Sequence, residues 1–180
     1  MKIFMRLAIL LMLSLTLTAC SSWDYFYYGF NEDKIADEVM QKFINALENE
    51  NEEALKSLFS QNAIMEAKDF DTNAQKAKAL FQGKVTSVEG GMWNGTRQMG
   101  VEVFIYFSTK YNIKTKEANY IIDFWNCYMH ENHPEMSGVH CIIIANEADK
   151  EANPENYYKF VATHLEDEKG IFIYEYKEGR

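Results

Sequence analysis

Imidazole and carboxylate side chains crowd the segment between residues 130 and 140 and are the first candidates for chemistry. The group comprises His130, Glu131, His133, Glu135 and His140. Imidazole nitrogens and carboxylate oxygens are zinc ligands. However, His130 and His133 lie in a predicted connection, and no pair of cysteines has zinc-finger spacing. We therefore expect a polar loop that solvates a hairpin, with no metal and no other cofactor.

Two cysteines, Cys127 and Cys141, lie on predicted neighbouring strands joined by a loop around Pro134. If the strands pair residue 127 with residue 141, the two thiols share a face within bonding distance. A slip of one residue would place them on opposite faces. Two interpretations stay open: a disulfide in an exported protein, or two small buried apolar side chains.

Alternation along the strand before these histidines indicates a ligand pocket. Phe124, Asn126 and Tyr128 share one face, where the Asn126 amide could orient a bound ligand. Asn126 can equally be a strand-end side chain in water. Asp123 points to the opposite face, which argues against a catalytic base there, since a base must be enclosed. With the faces exchanged, Asp123 beside Trp125 would be a buried carboxylate of raised pKa.

Three amphipathic segments precede any strand and must help to position these residues. Apolar residues recur every three to four positions in each segment, which predicts helices. Asn51 is the expected N-cap of the second helix, and Thr72 with Gln75 forms a capping box for the third. The predicted helices are residues 33–48, 52–59 and 73–81.

After Gly83 the apolar period changes to two, which predicts strands. Asn94-Gly95 is the strongest two-residue hairpin signal, so we place the first turn there. Residues 146–156 are polar and contain Pro154, which favours a loop. The last two strands are expected to pair across a charged turn. The predicted strands are residues 84–93, 96–110, 118–128, 139–145, 157–163 and 171–176.

Helices followed by a run of strands are typical of the α+β class. We expect the N-terminal helices to pack in the concave face of a curved antiparallel sheet. Residues 101–107 and 120–128 are apolar on both faces, so part of the convex face must also be covered. The aromatic segment that follows Cys20, or a partner subunit, is expected to cover it.

The first 19 residues have the order of an export signal. Lys2 and Arg6 precede the apolar run 7–17, and Thr18-Ala19 close it. The apolar run is too short to span a bilayer. Removing residues 1–19 takes away two basic residues and no acidic one, and so moves the formal charge from −9 to −11. Such a charge disfavours binding to nucleic acid and to anionic lipid headgroups.

Leu17-Thr18-Ala19-Cys20 resembles the bacterial lipobox. The resemblance implies that residues 1–19 are removed and that the Cys20 thiol is acylated, which gives a stable anchor when two or more chains are attached. Residues 20–32 would then form a juxtamembrane segment, and residues 33–180 a single domain. The aromatic residues of the juxtamembrane segment either lie in the headgroup layer or pack onto the domain. They are Trp23, Tyr25, Phe26, Tyr27, Tyr28 and Phe30.

Several motifs resemble known families. Ala46-Leu47 with residues 53–59 resembles the opening of proteins with the nuclear-transport-factor-2-like fold. Over about residues 33–175 the chain resembles a family of uncharacterised lipoproteins from low-GC Gram-positive bacteria. The resemblance implies an α+β cone with a pocket inside and assigns no activity. Its motifs are residues 80–87, Gly90-Gly91, residues 131–139 with Pro134-Glu135 and Gly138-Val139, and residues 170–173.

The chain carries no nucleophile elbow, phosphate loop or dinucleotide fingerprint. We therefore expect a non-catalytic protein that a lipid anchors to the extracytoplasmic face of the cell membrane, and that binds a small ligand or an envelope protein. The alternative is an isomerase or hydratase that uses a carboxylate or histidine in the cone pocket, since related folds host such enzymes. A homodimer through the convex face is compatible with both.

Overall fold

The computed structural model describes residues 31–98 and 102–176, in which helices precede a five-stranded sheet. The predicted α+β class is confirmed. The helices are α1 (Glu32–Glu48), α2 (Glu52–Lys56), α3 (Gln61–Glu66), α4 (Phe70–Leu80), α5 (Glu147–Ala152) and α6 (Pro154–His164). The strands are β1 (Val85–Gln98), β2 (Phe104–Thr115), β3 (Asn119–His130), β4 (Gly138–Asn146) and β5 (Gly170–Tyr174), with a 3₁₀ turn at Pro134–Met136.

Helix α1 confirms the first predicted helix and buries one stripe of its surface. Met40, Phe43 and Leu47, spaced three and four residues apart, are all buried. Asn51 caps α2 as predicted, because its Oδ1 accepts the N–H of Ala54 at 2.9 Å. The stripe of α1 and the start of α2 therefore follow from local sequence signals.

The capping box assigned to Thr72 and Gln75 is wrong. Helix α4 begins at Phe70, and the Gln75 amide donates instead to Glu52 Oε2 at 2.7 Å. Phe70 is buried and meets the Phe59 ring edge-on at 4.9 Å between centroids. This packing draws Phe70 into the helix, ahead of the start that the local signal indicates.

The strands lie in the order β1-β2-β3-β4-β5. The first four are antiparallel to their neighbours, as predicted. Strand β5 instead runs parallel to β4, with Gly170 opposite Cys141 and Tyr174 opposite Ala145. A parallel neighbour requires a crossover of a dozen or more residues, which α5 and α6 supply. The prediction of a wholly antiparallel sheet is therefore wrong at its last strand.

The turn predicted at Asn94-Gly95 is also wrong, because β1 continues through both residues. Asn94 pairs with Ser108 and Gly95 with Phe107. The chain reverses between Gln98 and Phe104, which oppose each other. The longer ladder adds cross-strand pairs, and their packing overrides the local turn preference.

The strand predicted at residues 157–163 is helix α6. Tyr157, Val161 and Leu165 are spaced four residues apart and all face the sheet in its buried clusters. This spacing is a helical pattern. A short apolar run does not by itself distinguish a strand from a buried helix, which is why the assignment failed.

The loop predicted at residues 146–156 contains helix α5 and the start of α6. Asn146 caps α5 by accepting the N–H of Ala148 at 3.0 Å. Asn153 caps α6 in the same way, and Pro154 occupies its first turn. Asparagine and proline are therefore helix-start signals in this segment rather than loop signals.

The sheet is covered on both faces. Helices α1 to α4 pack on the face that we call inner, where they and the strands form one apolar cluster that includes Phe43, Phe107 and Phe124. On the outer face, α6 packs over β3, β4 and β5 in two smaller clusters around Tyr157 and Leu165. Within the described residues, α6 covers this second face, whereas the aromatic segment that was expected to cover it lies outside them.

Glycine 138 allows β4 to approach the start of α3 closely. Its φ is +128°, and a Cβ there would lie 2.7 Å from the Ser60 nitrogen. Val139 exchanges backbone hydrogen bonds with this segment, accepting from Ser60 N–H at 3.0 Å and donating to Leu58 O at 2.9 Å. Gly138-Val139 and the motif at residues 53–59 are thus in contact, and they join the sheet to the helices.

Candidate functional site

A cleft of about 630 Å³ opens on the outer face, between α6 and strands β1 to β3. Its strand side carries one residue from each of three neighbouring strands, Trp93, Lys110 and Asp123. Its helix side comes from α6 and the two residues that follow it. These are Tyr157, Tyr158, Val161, Ala162, Leu165 and Glu166. The lining is mostly apolar, which is typical of small-molecule sites of this size.

Asp123 and Lys110 lie together because they are direct partners in the β2–β3 ladder. Both alternate with inner-face residues: Tyr111 and Phe124, next to them in sequence, belong to the core under α1 to α4. Asp123 is buried and accepts a hydrogen bond from the Tyr157 hydroxyl on α6. The acid is thus fixed between a strand and the covering helix.

Burial raises the pKa of Asp123 above its ordinary value. The hydrogen bond from Tyr157 and the positive charges of Lys110 and Lys150 oppose this rise without cancelling it. Burial likewise raises the pKa of Tyr157, and the charge of Asp123 adds to that rise. The pair therefore favours a neutral phenol that donates to the carboxyl group.

The ammonium of Lys110 is held against aromatic faces. Its Nζ lies 5.4 Å from the centre of the Tyr157 ring and 5.3 Å from that of Tyr158. Among the residues that the structure describes, Lys110 forms no ion pair within 4 Å. The cleft therefore holds a half-buried cation without a close counter-ion.

Two large exposed aromatic side chains form the walls of the cleft. Trp93 is 59% exposed and Tyr158 is 54% exposed. The β1–β2 register shifts between Met92 and Asn94, so Trp93 is the extra residue of a β-bulge. Bulges redirect side chains and often occur next to binding sites. The irregularity in β1 thus coincides with the wall residue.

The predicted pocket residues Phe124, Asn126 and Tyr128 do not line this cleft. Phe124 is buried in the inner core, where its ring stacks with that of Tyr111. Asn126 is buried as well, whereas Tyr128 is 41% exposed. A register shift between Ile105 and Tyr106 lies opposite Tyr128, so the three residues do not continue along one face.

The cysteines do not meet the condition for a disulfide. Cys141 lies opposite Trp125, and Cys127 lies opposite Gly138. Both thiols are buried and free. Burial raises the pKa of each, although a hydrogen bond with Tyr106 opposes the rise at Cys127. The ladder therefore does not pair residue 127 with residue 141, which was the condition for a disulfide.

The histidines divide among separate partners. His133 Nδ1 lies 3.1 Å from Glu135 Oε1, and His130 Nε2 lies 3.6 Å from Glu102 Oε1. His140 is buried and donates from Nε2 to the carbonyl of Met136 at 2.6 Å. Within residues 31–98 and 102–176, no group of three or more His, Cys, Asp or Glu side chains could hold a metal ion.

Burial lowers the pKa of His140 to about 4, more than its hydrogen bond to the Met136 carbonyl raises it. The ring lies 5.7 Å from that of Tyr106, which also stacks on Trp125. His140 is thus a neutral side chain at neutral pH, packed in an aromatic cluster beside β3 and β4.

The sequence patterns argue against Asp123 as an enclosed acid. They place Asp123 on the correct face, opposite Ile122 and Phe124, but we expected the aromatic segment or a partner subunit, not a helix, to cover that face. The missing piece is α6, whose Tyr157 encloses the carboxyl group. The four-residue spacing of Tyr157, Val161 and Leu165 was the signal that could have revealed the helix.

The predicted acylation site Cys20 and the aromatic segment lie outside the described residues. No helix within the described residues is long and apolar enough to cross a membrane. In comparisons with known proteins, a family model described as "Domain of unknown function (DUF5104)" matches residues 42–147. No curated protein matches the chain. The matched region covers α1 from its middle through β4 and the first residue of α5.

Proposed function

The chain belongs to the DUF5104 family, and we propose that it is a lipid-anchored extracytoplasmic binding protein whose outer-face cleft takes a small, largely apolar ligand. The observation that carries the proposal is that Trp93 and Tyr158 border the same cleft. Both are exposed aromatic side chains, and both border one cleft of about 630 Å³. Exposed aromatic surface next to a concave site favours binding, because ligand contact removes that surface from water.

The polar groups of the cleft suit a binding role. A few fixed polar groups within an apolar lining orient a ligand and select it. Here Asp123 is fixed by Tyr157, and Lys110 is held by two tyrosine rings. These side chains need little reordering when a ligand enters, which reduces the entropic cost of binding.

Ligand screening tests this function. We expect members of a panel of small amphipathic molecules to raise the melting temperature of the protein, and the Tyr158→Ser variant to lose that shift. Tyr128→Ser is the matched control, because Tyr128 is also an exposed tyrosine but lies outside the cleft. Equal loss in both variants, or no shift with any compound, would contradict the proposal. An envelope-protein partner would then be the remaining occupant of this face.

The anchor is the second part of the proposal. The tetrapeptide Leu17-Thr18-Ala19-Cys20 supports acylation of the Cys20 thiol, and two or more acyl chains hold a protein stably at a membrane. Mass spectrometry of the native protein is expected to find a chain that begins at an acylated Cys20. A Cys20→Ala variant should leave the membrane fraction, whereas an unmodified thiol at this position would contradict the anchor.

We also propose that the fold is of the nuclear-transport-factor-2-like type. Helices α1 to α4 precede the sheet and share one core with its inner face, which supports this proposal. Two features differ from the expected cone: the parallel β5, and the position of the cleft on the outer face. An experimental structure in which the helices leave the inner face uncovered would contradict it.

An isomerase or hydratase is the second candidate, because Asp123 is a buried acid of raised pKa at the wall of a cleft. A carboxylate there could take a proton next to a carbonyl group, and a phenol could donate to the resulting oxyanion. Deuterium exchange next to the carbonyl of a bound ligand would be followed by NMR. If the protein is such an enzyme, deuterium exchange should be faster than in solvent alone, and Asp123→Asn should abolish the acceleration. Exchange no faster than in solvent would rule out this candidate.

The predicted homodimer has a separate test. Light scattering of the purified protein would give a mass of two chains if the outer face associates. A monomer whose cleft binds ligand would separate the binding function from dimerisation.

A further inference from the structure

We propose that the cleft selects a small aromatic monocarboxylate, a flat ring that carries one negative group, with the carboxylate placed against the ammonium of Lys110. This inference rests on the proposed binding function and names its ligand class. It depends on three features of the cleft: a cation with no ion pair within 4 Å among the described residues, two exposed aromatic side chains, and an open shape.

The cation comes first. Lys110 is half-buried beneath α6, and its ammonium lies against the faces of Tyr157 and Tyr158. Its ladder partner, Asp123, already accepts the Tyr157 hydroxyl. A cation in an apolar surrounding attracts an anion more strongly than it would in water, because the effective dielectric constant is lower. A ligand carboxylate would thus form a charge-assisted hydrogen bond with Lys110.

The position of the remaining charges favours the same sign of ligand. The positive charges of Lys110 and Lys150 both oppose the rise that burial causes in the pKa of Asp123. Glu166 also borders the cleft, but it is exposed to solvent, where its charge is screened. A cationic ligand would be repelled by Lys110. The buried acid of the cleft, Asp123, already accepts the Tyr157 hydroxyl and is less available to attract such a ligand.

The ring faces come second. Trp93 makes no ring contact with another described aromatic side chain, and Tyr158 contacts only Tyr157 among them, at 5.4 Å. Both side chains are more than half exposed, so each keeps surface that a ligand ring can contact. Aromatic groups are stabilised by offset or edge-on contacts beyond the area that they bury.

The shape comes third. The site is a cleft open to solvent along one side, bordered by β1 and α6, rather than a tunnel. A long acyl chain needs an enclosed tunnel to leave water completely, whereas a flat ring is covered by two walls. The same negative charge on an aliphatic chain should therefore bind less well than on an aromatic ring.

The experiment compares three compounds that share one ring system and differ in charge. Calorimetric titration of the full chain in lipid nanodiscs would compare indole-3-acetate, the neutral indole-3-acetamide and the cationic tryptamine, with octanoate as the aliphatic carboxylate. We expect indole-3-acetate to bind at least about tenfold more tightly than each of the other three. Empty nanodiscs correct for partition of each compound into lipid.

Two lysine variants locate the effect. Lys110→Met keeps the apolar stem and removes the charge, and we expect it to reduce the affinity for indole-3-acetate about tenfold. Its affinity for the neutral amide should stay within about twofold. Lys114→Met is the matched control, because Lys114 lies on the same face of β2 but is exposed and outside the cleft. Melting curves of both variants show that they remain folded.

Each outcome decides a different statement. Equal binding of the acetate and the amide, with no effect of Lys110→Met, would overturn the inference and leave the binding function in place. Tighter binding of tryptamine than of indole-3-acetate would overturn the inferred negative charge of the ligand. Tighter binding of octanoate would overturn the inferred aromatic ring. No binding of any of the four compounds, nor of the wider screening panel, would instead contradict the proposed function itself.

Discussion

The inner and outer faces of the sheet are lined by alternating residues of the same strands, yet they bury different chemistry. On the inner face, Phe107, Tyr111 and Phe124 pack against α1 to α4 in one apolar cluster. On the outer face, the same strands carry Lys110 and Asp123, and β4 carries the Cys141 thiol, under a single helix. Four helices thus stabilise one face, whereas the other combines partial cover with polar groups.

The comparison teaches where function can develop in a small fold. A fully packed face has no room for a ligand, and any change in volume there reduces stability. A face under one helix leaves a cleft at the helix edge, where polar groups are desolvated but still reachable. The predictions below test that contrast, and they are ordered from the largest expected effect to the smallest.

Substituting Phe124 with alanine should produce the largest loss of stability. The Phe124 ring is buried in the inner core and stacks with Tyr111. Deleting a buried phenylalanine ring costs about 3–5 kcal/mol in the free energy of unfolding. Urea denaturation would measure it. A loss below about 1 kcal/mol would contradict the assignment of Phe124 to a packed core.

His140 should make the protein sensitive to acid. Its pKa is lowered from 6.5 to about 4, so the unfolded chain binds a proton at this position before the native state does. Stability from His140 is therefore complete above pH 6.5, falls as the pH drops towards 4, and amounts to on the order of 3 kcal/mol. The charges that also act on this ring are Lys169, Glu66 and His130.

The His140→Gln variant checks this prediction. Glutamine keeps a donor for the Met136 carbonyl but has no proton to bind in this range. Urea denaturation at several pH values should therefore give a shallower loss of stability between pH 6.5 and 4 in the variant. An unchanged pH dependence would show that His140 is not the group responsible.

Tyr157→Phe should cost about 1–3 kcal/mol at pH 7, because the buried Asp123 carboxyl loses its hydroxyl donor. The effect should be smaller in an Asp123→Asn background, where no charge is left buried. A double-mutant cycle from denaturation curves measures the difference. Additive effects of the two substitutions would contradict a direct interaction across the cleft wall.

Asp123→Asn should change stability in a pH-dependent direction. Because the pKa of Asp123 is raised in the native state, its contribution is complete below the ordinary value of 3.8 and is lost as the pH rises through the native pKa. The asparagine variant, which cannot ionise, should therefore become more stable relative to the natural protein as pH increases. The opposite trend would show that the carboxylate is stabilised as an anion.

Trp93→Ala should have the smallest effect on stability, within about 0.5 kcal/mol, because Trp93 is mostly exposed. The same substitution should abolish most ligand binding, since it removes one wall of the cleft. The comparison of Trp93→Ala with Phe124→Ala thus distinguishes a side chain that binds ligand from one that stabilises the core. Full ligand binding by the Trp93→Ala variant would place the site elsewhere.

Local patterns determined a large part of this protein. The periodic stripe of Met40, Phe43 and Leu47, the Asn51 cap and the alternation along β3 predict α1, α2 and the two faces of the central strand. These features depend on residues within a turn or two of each other, so they can be predicted from the sequence. The α+β class follows from their order along the chain.

Only the tertiary structure decided the site. Whether residues 157–163 form a strand or a helix depended on the sheet that Tyr157 and Leu165 cover. The continuation of β1 through Asn94-Gly95 depended on its pairing with β2. The register of β3 against β4, which places Cys141 opposite Trp125, decided that Cys127 and Cys141 do not meet.

The enclosure of Asp123 by α6 has the same cause. The sequence could place the carboxyl group on a face but not beneath a helix, because desolvation is produced by contacts between residues far apart in the chain. Short-range periodicity thus determined the elements and their faces, whereas long-range packing determined which polar groups are buried and where a ligand can enter.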